Sequence, residues 1–211
     1  EATADLHWAL LLGVARRVVE ADRLLRTGLF PGGQSSYLEG GAVFGKSLGI
    51  IGVGRIGHAV ARRARGFGIR IRYNKRTRIA PDDEAALGLT YVSLDRRLAE
   101  ADFGSVNCAY TRETYHLIGE PELMRMKPTA YLINTARGPV VDEKALTQAL
   151  LEKKIAGAAL DVFEREPHVE PELVRLPNVV LTPHIGSAVA GLREEMALIV
   201  AENILAVIRD E

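Results

Sequence analysis

Three segments of the chain carry polar groups in apolar surroundings, and their side chains are those of acid–base chemistry. They are Ile133-Asn134-Thr135-Ala136-Arg137-Gly138, Leu160-Asp161-Val162-Phe163-Glu164-Arg165-Glu166-Pro167 and Leu181-Thr182-Pro183-His184-Ile185-Gly186-Ser187. An arginine fork holds a carboxylate bidentately. A histidine gives or takes a proton near neutral pH. A carboxylate beside that histidine orients the ring and favours its charged form. Arg137, His184 and Glu166 supply this set. It suits hydride transfer to the carbonyl of a 2-keto acid, with Arg137 on the substrate carboxylate and His184 protonating the oxygen. Taken singly, each residue also admits a plainer role: a surface arginine, a capping glutamate, a loop histidine.

A second constellation is Gly52-Val53-Gly54-Arg55-Ile56-Gly57. This GxGxxG follows an apolar run and opens an amphipathic helix, the setting in which such a turn binds a dinucleotide. Gly52 permits the tight turn, Gly54 lets a pyrophosphate approach the backbone, and Gly57 lets the helix pack on the strand. The free N–H groups at the helix start bind phosphate oxygens. A plain glycine turn is the alternative.

The next strand end selects the cofactor. A site for NAD places an acidic residue there, on the ribose hydroxyls. Here the segment is Tyr73-Asn74-Lys75-Arg76-Thr77-Arg78, without a carboxylate. Asn74, Lys75, Arg76 and Thr77 are therefore candidate cofactor contacts. Lys75, Arg76 and Thr77 suit a 2′-phosphate, which favours NADP(H) and leaves NAD(H) as the second choice. A solvated basic turn is the plainer reading.

The elements that must position these groups follow from periodicity. Residues 3–26 predict one amphipathic helix, capped by Thr3 or Asp5. The stretch 27–46, with Gly28, Pro31, Gly32, Gly33, Gly40, Gly41 and Gly45, is loop chemistry. Short apolar runs then predict strands over 48–51, 69–73, 90–92, 103–107, 131–134, 156–160 and 179–181. Helices are expected over 56–65, 94–100, 120–126 and 143–152, with Ile56, Ala59, Val60, Ala64 and Phe67 facing the sheet. A last helix is expected from about Gly191 to Asp210. Strand and helix alternating at this pitch imply an α/β fold, a doubly wound parallel sheet of about seven strands in a core over 47–190. Ligands sit beyond the carboxyl ends of such strands, so the three polar segments should share a crevice with the glycine turn.

Composition sets the bounds. The 211 residues carry 27 basic and 27 acidic side chains, a net charge of zero. That excludes a bulk electrostatic binder of nucleic acid or anionic membrane. No apolar run reaches the roughly 18 residues of a membrane span. One cysteine, Cys108, excludes a disulfide framework, and a cytoplasmic location is the simplest fit. The chain begins at Glu1 without methionine or a basic n-region, which reads as a fragment without a signal peptide. From Arg55 to Arg78 there are nine basic residues and no acidic one, a local positive field suited to one small anion.

Together, Leu48-Gly49-Ile50-Ile51-Gly52-Val53-Gly54-Arg55-Ile56-Gly57, Asn134-Thr135-Ala136-Arg137-Gly138, Leu160-Asp161-Val162-Phe163 and Pro183-His184-Ile185-Gly186-Ser187 resemble the D-isomer-specific 2-hydroxyacid dehydrogenase family. The likeness runs from Ala2-Thr3-Ala4-Asp5 to the last helix and covers the family's cofactor-binding domain. It implies Arg137 as substrate anchor, Glu166 as partner of the histidine, and His184 as general acid/base. It implies Arg55 and Ile56 at the pyrophosphate, and Ala109, Thr114, Thr135, Ala136, Asp161, Gly186 and Ser187 around the adenosine and nicotinamide. It also implies a small 2-keto or 2-hydroxy acid as substrate, a separate substrate domain outside this segment, and a homodimer through this domain. The basic turn after the second strand is most similar to NADP-using glyoxylate/hydroxypyruvate reductases. Formate dehydrogenases are less similar, since they carry glutamine where Glu166 stands. The family's usual prolines are replaced at Ala109 and Arg112, and its tryptophan after the first helix is absent, with Phe30 nearby. Two other readings share this scaffold: a nucleotide-sensing module of the corepressor kind, and a fragment that only binds cofactor.

The remaining reactive side chains receive plainer expectations. Cys108 lies in an apolar strand and suits a buried, inert thiol. Trp8 is a packing or subunit-contact residue, and His58 faces solvent. His7, His116 and His168 have no partners at metal-ligand spacing, so no metal is expected.

Overall fold

The structure, a computed structural model, describes residues 1–30, 32–33 and 36–209. All seven expected strands form: β1 (Ser47–Ile51), β2 (Arg70–Asn74), β3 (Leu89–Tyr91), β4 (Phe103–Val106), β5 (Tyr131–Asn134), β6 (Gly157–Leu160) and β7 (Val179–Leu181). They pair in parallel in the order β3-β2-β1-β4-β5-β6-β7. This is the doubly wound sheet that the alternation implied. The strand order reverses between β1 and β4, and a crevice opens beyond the carboxyl ends at such a switch. β1, β4 and β6 are buried at every position, because helices cover both faces of the sheet.

One face carries α1 (Ala2–Ala15) and α3 (Arg55–Ala64), whose Trp8, Leu11, Ala59 and Val60 join Leu48, Ile50 and Ile133 in one core. The other face is covered by α5 (Leu94–Glu100), α6 (Glu120–Arg125) and α7 (Glu143–Leu151), which bury Leu98, Leu123 and Leu146. Trp8 is a packing residue: its ring stacks on Phe67 at 4.7 Å and its indole N–H donates to the Val60 carbonyl.

The structure corrects several expectations. The single helix over 3–26 is two, α1 and α2 (Val18–Arg26), broken where Arg17 takes a left-handed conformation with φ of 53°. The break is held from a distance. The Gly41 N–H donates to the Ala15 carbonyl, and a Cβ on Gly40 would lie 2.4 Å from that oxygen. Neither Thr3 nor Asp5 caps α1. The Thr3 hydroxyl donates to Gly186 O, and Asp5 pairs with Arg63. Ile56 does not face the sheet but stands 38% exposed at the start of α3, whereas Ala59, Val60 and Ala64 are buried.

Two short helices were not expected, α4 (Pro81–Leu87) and α8 (Pro171–Arg175). They are seven and five residues long, and each buries a single side chain, Glu84 and Leu173, so neither shows an apolar stripe. Each carries proline and an acidic residue in its first turn, which is a helix-start signal. α9 (Leu192–Ile208) buries none of its residues, although Met196, Leu198, Ile199, Val200 and Ile204 are apolar. Pro31 of the glycine-rich stretch and Asp210 of the expected last helix lie outside the described residues. Among the described residues, no helix is long and apolar enough to cross a membrane.

Candidate active site

The turn after β1 has the geometry its glycines predicted. Gly52 has φ of 83°, and a Cβ there would lie 2.7 Å from the Cys108 backbone. A Cβ on Gly57 would meet the Gly52 carbonyl at 2.5 Å, so only glycine lets α3 start this close to the turn. At Gly54 a Cβ would meet nothing within 4 Å, and no side chain caps α3. An open approach to uncapped N–H groups is what a pyrophosphate needs. The residues present therefore fit a dinucleotide. Arg55 and Ile56 stand exposed at this helix start.

Arg137, Glu166 and His184 follow β5, β6 and β7, and the fold brings Glu166 and His184 into contact. His184 Nδ1 lies 2.8 Å from Glu166 Oε2. An ionised carboxylate only accepts, so Nδ1–H donates and Nε2 is left unengaged on a half-exposed side chain. Partial burial alone would raise the Glu166 pKa. The His184 hydrogen bond, the Phe163 N–H on Oε1 and the charges of His184 and Arg137 outweigh it and hold the carboxyl below its ordinary value. Asn134 sets the turn that presents Arg137: its Oδ1 accepts from Ala136 N and its Nδ2 donates to Arg137 O. A Cβ on Gly138 would lie 1.8 Å from Phe163 O. The Arg137 segment and the Glu166 loop therefore touch backbone to backbone.

Asp161 is almost fully buried, and its oxygens are filled by this chain. Oδ1 accepts from the Thr182 hydroxyl and Ile185 N, and Oδ2 from Gly186 N, all at 2.7–2.8 Å. It pins the turn that carries His184, with its φ of 54°. Gly186 is buried and Ser187 half-buried on the same turn. The Thr135 hydroxyl lies 3.1 Å from the buried His7 Nδ1, while Ala136 is half-buried beside it. The Thr114 hydroxyl donates to Ala109 O and closes the loop after β4. In the β2 turn, the Asn74 carboxamide donates to Val92 O, and Lys75, Arg76 and Thr77 are exposed.

The basic excess is smaller in space than in sequence. Arg62 and Arg63 pair with Glu1, Arg72 with Glu100, and Arg78 with Glu84. Among the described residues, Lys75 and Arg76 have no ion pair, so the positive charge that remains at the β2 turn is theirs.

Spacing along the chain missed the network behind the site. His7 on α1 is fully buried, with Nδ1 on Thr135 and Nε2 3.0 Å from the Ser105 hydroxyl, which also accepts from Asn107 Nδ2. Burial pushes the His7 pKa down to about 3, so the ring is neutral. Its partners lie 98 and 128 residues away, which no local pattern signals. Cys108 is half-buried, and burial raises its thiol pKa. A cavity of about 510 Å³ lined by Val14, Arg17, Glu20, Tyr131 and Asn178 lies at the opposite, amino ends of β5–β7 and holds none of the site residues.

Residues 8–186 match the family model "D-isomer specific 2-hydroxyacid dehydrogenase, NAD binding domain". The chain belongs to that family. Over all of its length it is 53% identical to a glyoxylate reductase of Thermococcus litoralis, and covers 65% of that protein. Among solved structures, a glyoxylate reductase from Paecilomyes thermophila superposes with TM-score 0.90 at 43% identity, over 98% of this chain and 62% of its own. A D-lactate dehydrogenase from Aquifex aeolicus, complexed with NAD and lactic acid, gives TM-score 0.90 at 31% identity, over 100% of this chain and 67% of its own. The chain thus spans somewhat under two thirds of the reductases it matches. Its parallel sheet and glycine turn are those of a dehydrogenase domain that holds a nicotinamide cofactor.

Proposed function

We propose that this chain is the cofactor-binding part of an NADP(H)-preferring reductase that converts a small 2-keto acid, glyoxylate or hydroxypyruvate, to the D-2-hydroxy acid. The 2.8 Å pair of His184 and Glu166, on turns that leave the same carboxyl edge of the parallel sheet as the glycine turn, carries the reading. The nicotinamide, when bound, supplies the hydride. His184 Nε2 gives its proton to the carbonyl oxygen as negative charge develops there. Glu166 accepts from Nδ1–H, which fixes the ring's orientation and leaves Nε2 for the substrate oxygen. Arg137 takes the substrate carboxylate, since a guanidinium fork matches its two oxygens. Asp161 and Asn134 act through other residues, by holding the His184 and Arg137 turns.

Lys75, Arg76 and Thr77 support the NADP(H) preference. A 2′-phosphate placed at the β2 end would meet two cations that have no ion pair among the described residues, while the nearby Glu84 carboxylate is already paired with Arg78. The names of the relatives favour turnover over a nucleotide-sensing module. A second domain closing over the crevice and a homodimer belong to the same proposal, and sedimentation of the full-length protein tests the dimer. The decisive experiment is His184→Ala in the full-length protein. Turnover should fall on the order of 10²–10⁴-fold, while the cofactor dissociation constant stays nearly unchanged. Equal loss of both overturns the assignment.

A further inference from the structure

Beneath the loop that carries Glu166, the fold assembles a group that spacing along the chain does not show. His116 follows β4, Asp142 begins α7, and Glu164 follows β6. One ring nitrogen and one oxygen from each carboxylate lie within 4.8 Å of one another. His116 Nε2 is 3.1 Å from Glu164 Oε1, and Nδ1 is 3.5 Å from Asp142 Oδ2. We propose that these three side chains bind one divalent transition-metal ion, with zinc as the fitting probe, and that the ion staples the Glu166 loop to α7.

Four observations carry this. First, Nε2 is buried and has no hydrogen-bond partner, although Glu164 Oε1 is only 3.1 Å away. A close but misaligned pair is poor as a hydrogen bond. It is the spacing of two neighbours on one ion, because zinc bonds of about 2.0–2.2 Å at tetrahedral angles separate ligands by about 3.3–3.5 Å. Second, each carboxylate commits one oxygen to the backbone and leaves the other for the ring. Asp142 Oδ1 accepts from Ala145 N, and Glu164 Oε2 accepts from Glu143 N. Such outer contacts orient metal ligands. Third, the imidazole is held in place: His116 has φ of 48°, a left-handed conformation unusual outside glycine, and its ring stacks on Tyr115 at 3.9 Å. Fourth, two carboxylates and one neutral imidazole balance a double positive charge, and the group opens on a surface cleft lined also by Glu120, Lys144 and Arg165. That leaves room for water in a fourth position. Imidazole with carboxylates suits zinc or manganese.

The site stands apart from the reductase chemistry and is tested without it. The full-length protein, stripped with a chelator, is titrated with zinc chloride by calorimetry. The expected result is one tight equivalent, with the melting temperature rising as zinc is added. His116→Gln and Glu164→Gln should each weaken binding on the order of 100-fold or more, and His184→Gln should leave it unchanged. Glu164→Gln retains the acceptor for Glu143 N, so it carries the test if His116→Gln does not fold. Absence of saturable binding overturns the proposal. So does binding that survives both first variants or disappears with His184→Gln, which would place zinc in the catalytic crevice.

Discussion

Asp161→Asn tests the reasoning most directly, because it changes one atom of a buried carboxylate that no part of the proposed chemistry touches. The wild-type oxygens accept three hydrogen bonds, from the Thr182 hydroxyl, Ile185 N and Gly186 N. Asparagine keeps one oxygen, which can still serve Thr182 and Ile185 but without the charge. Its NH₂ then faces the Gly186 N–H, donor against donor. One charge-assisted bond is lost at about 1.5–3 kcal/mol, and a buried donor is left unmet at about 1–3 kcal/mol. The two together give roughly 2.5–6 kcal/mol. For a chain of this length each kcal/mol moves the melting temperature by about 2–4 °C, so the variant should melt roughly 5–24 °C lower. Because the strain falls on the 182–186 turn, amide exchange at Ile185 and Gly186 should rise before that of β1 or β4. Turnover of the full-length protein should fall with it, through displacement of His184. A variant that melts within about 1 °C of the parent, with unchanged exchange at Gly186, would refute the reading of Asp161 as the organiser of that turn.

Glu166→Gln should remove a pH-dependent share of stability. The folded Glu166 pKa lies below its ordinary value of 4.5, so its contribution is full above that value and is lost as pH falls through the lower folded pKa. Urea titrations of parent and variant should therefore differ at pH 7 and converge in acid; a gap that widens in acid contradicts the assignment. Lys75→Ala with Arg76→Ala should weaken NADPH binding by about ten- to a hundred-fold for each charge-assisted bond lost. NADH binding should change little, and a parent that prefers NADH tenfold would sink the NADP(H) reading. Gly52→Ala puts a side chain at φ of 83° and 2.7 Å from the Cys108 backbone. It should cost several kcal/mol of stability and release cofactor together, as calorimetry with both nucleotides would show.

How much of this was legible in the sequence depends on the range of the interaction. β1, β4 and β6 were readable as short, mostly apolar runs because both of their faces are covered, so burial left no alternation to misread. The glycine turn was legible because its constraints, Gly52 on Cys108 and Gly57 on Gly52, act within the motif or on the strand beside it. The break at Arg17 was not, since Gly40 and Gly41 impose it from the far side of a loop. The arginines from Arg55 to Arg78 form a positive run in sequence, but Glu1, Glu84 and Glu100 neutralise much of it in space. Asp161 shows the same limit: the family resemblance implied a cofactor contact there, and only the fold reveals three donors from its own chain. Gly138 is the instructive exception. It directly follows Arg137, and any side chain there would collide with the Phe163 carbonyl. A glycine beside a candidate anchor is a local sign that another backbone must arrive. Here the arriving backbone leads, three residues on, to Glu166 and so to His184. The proposed catalytic set is held together by a close approach that the sequence marked at one end only.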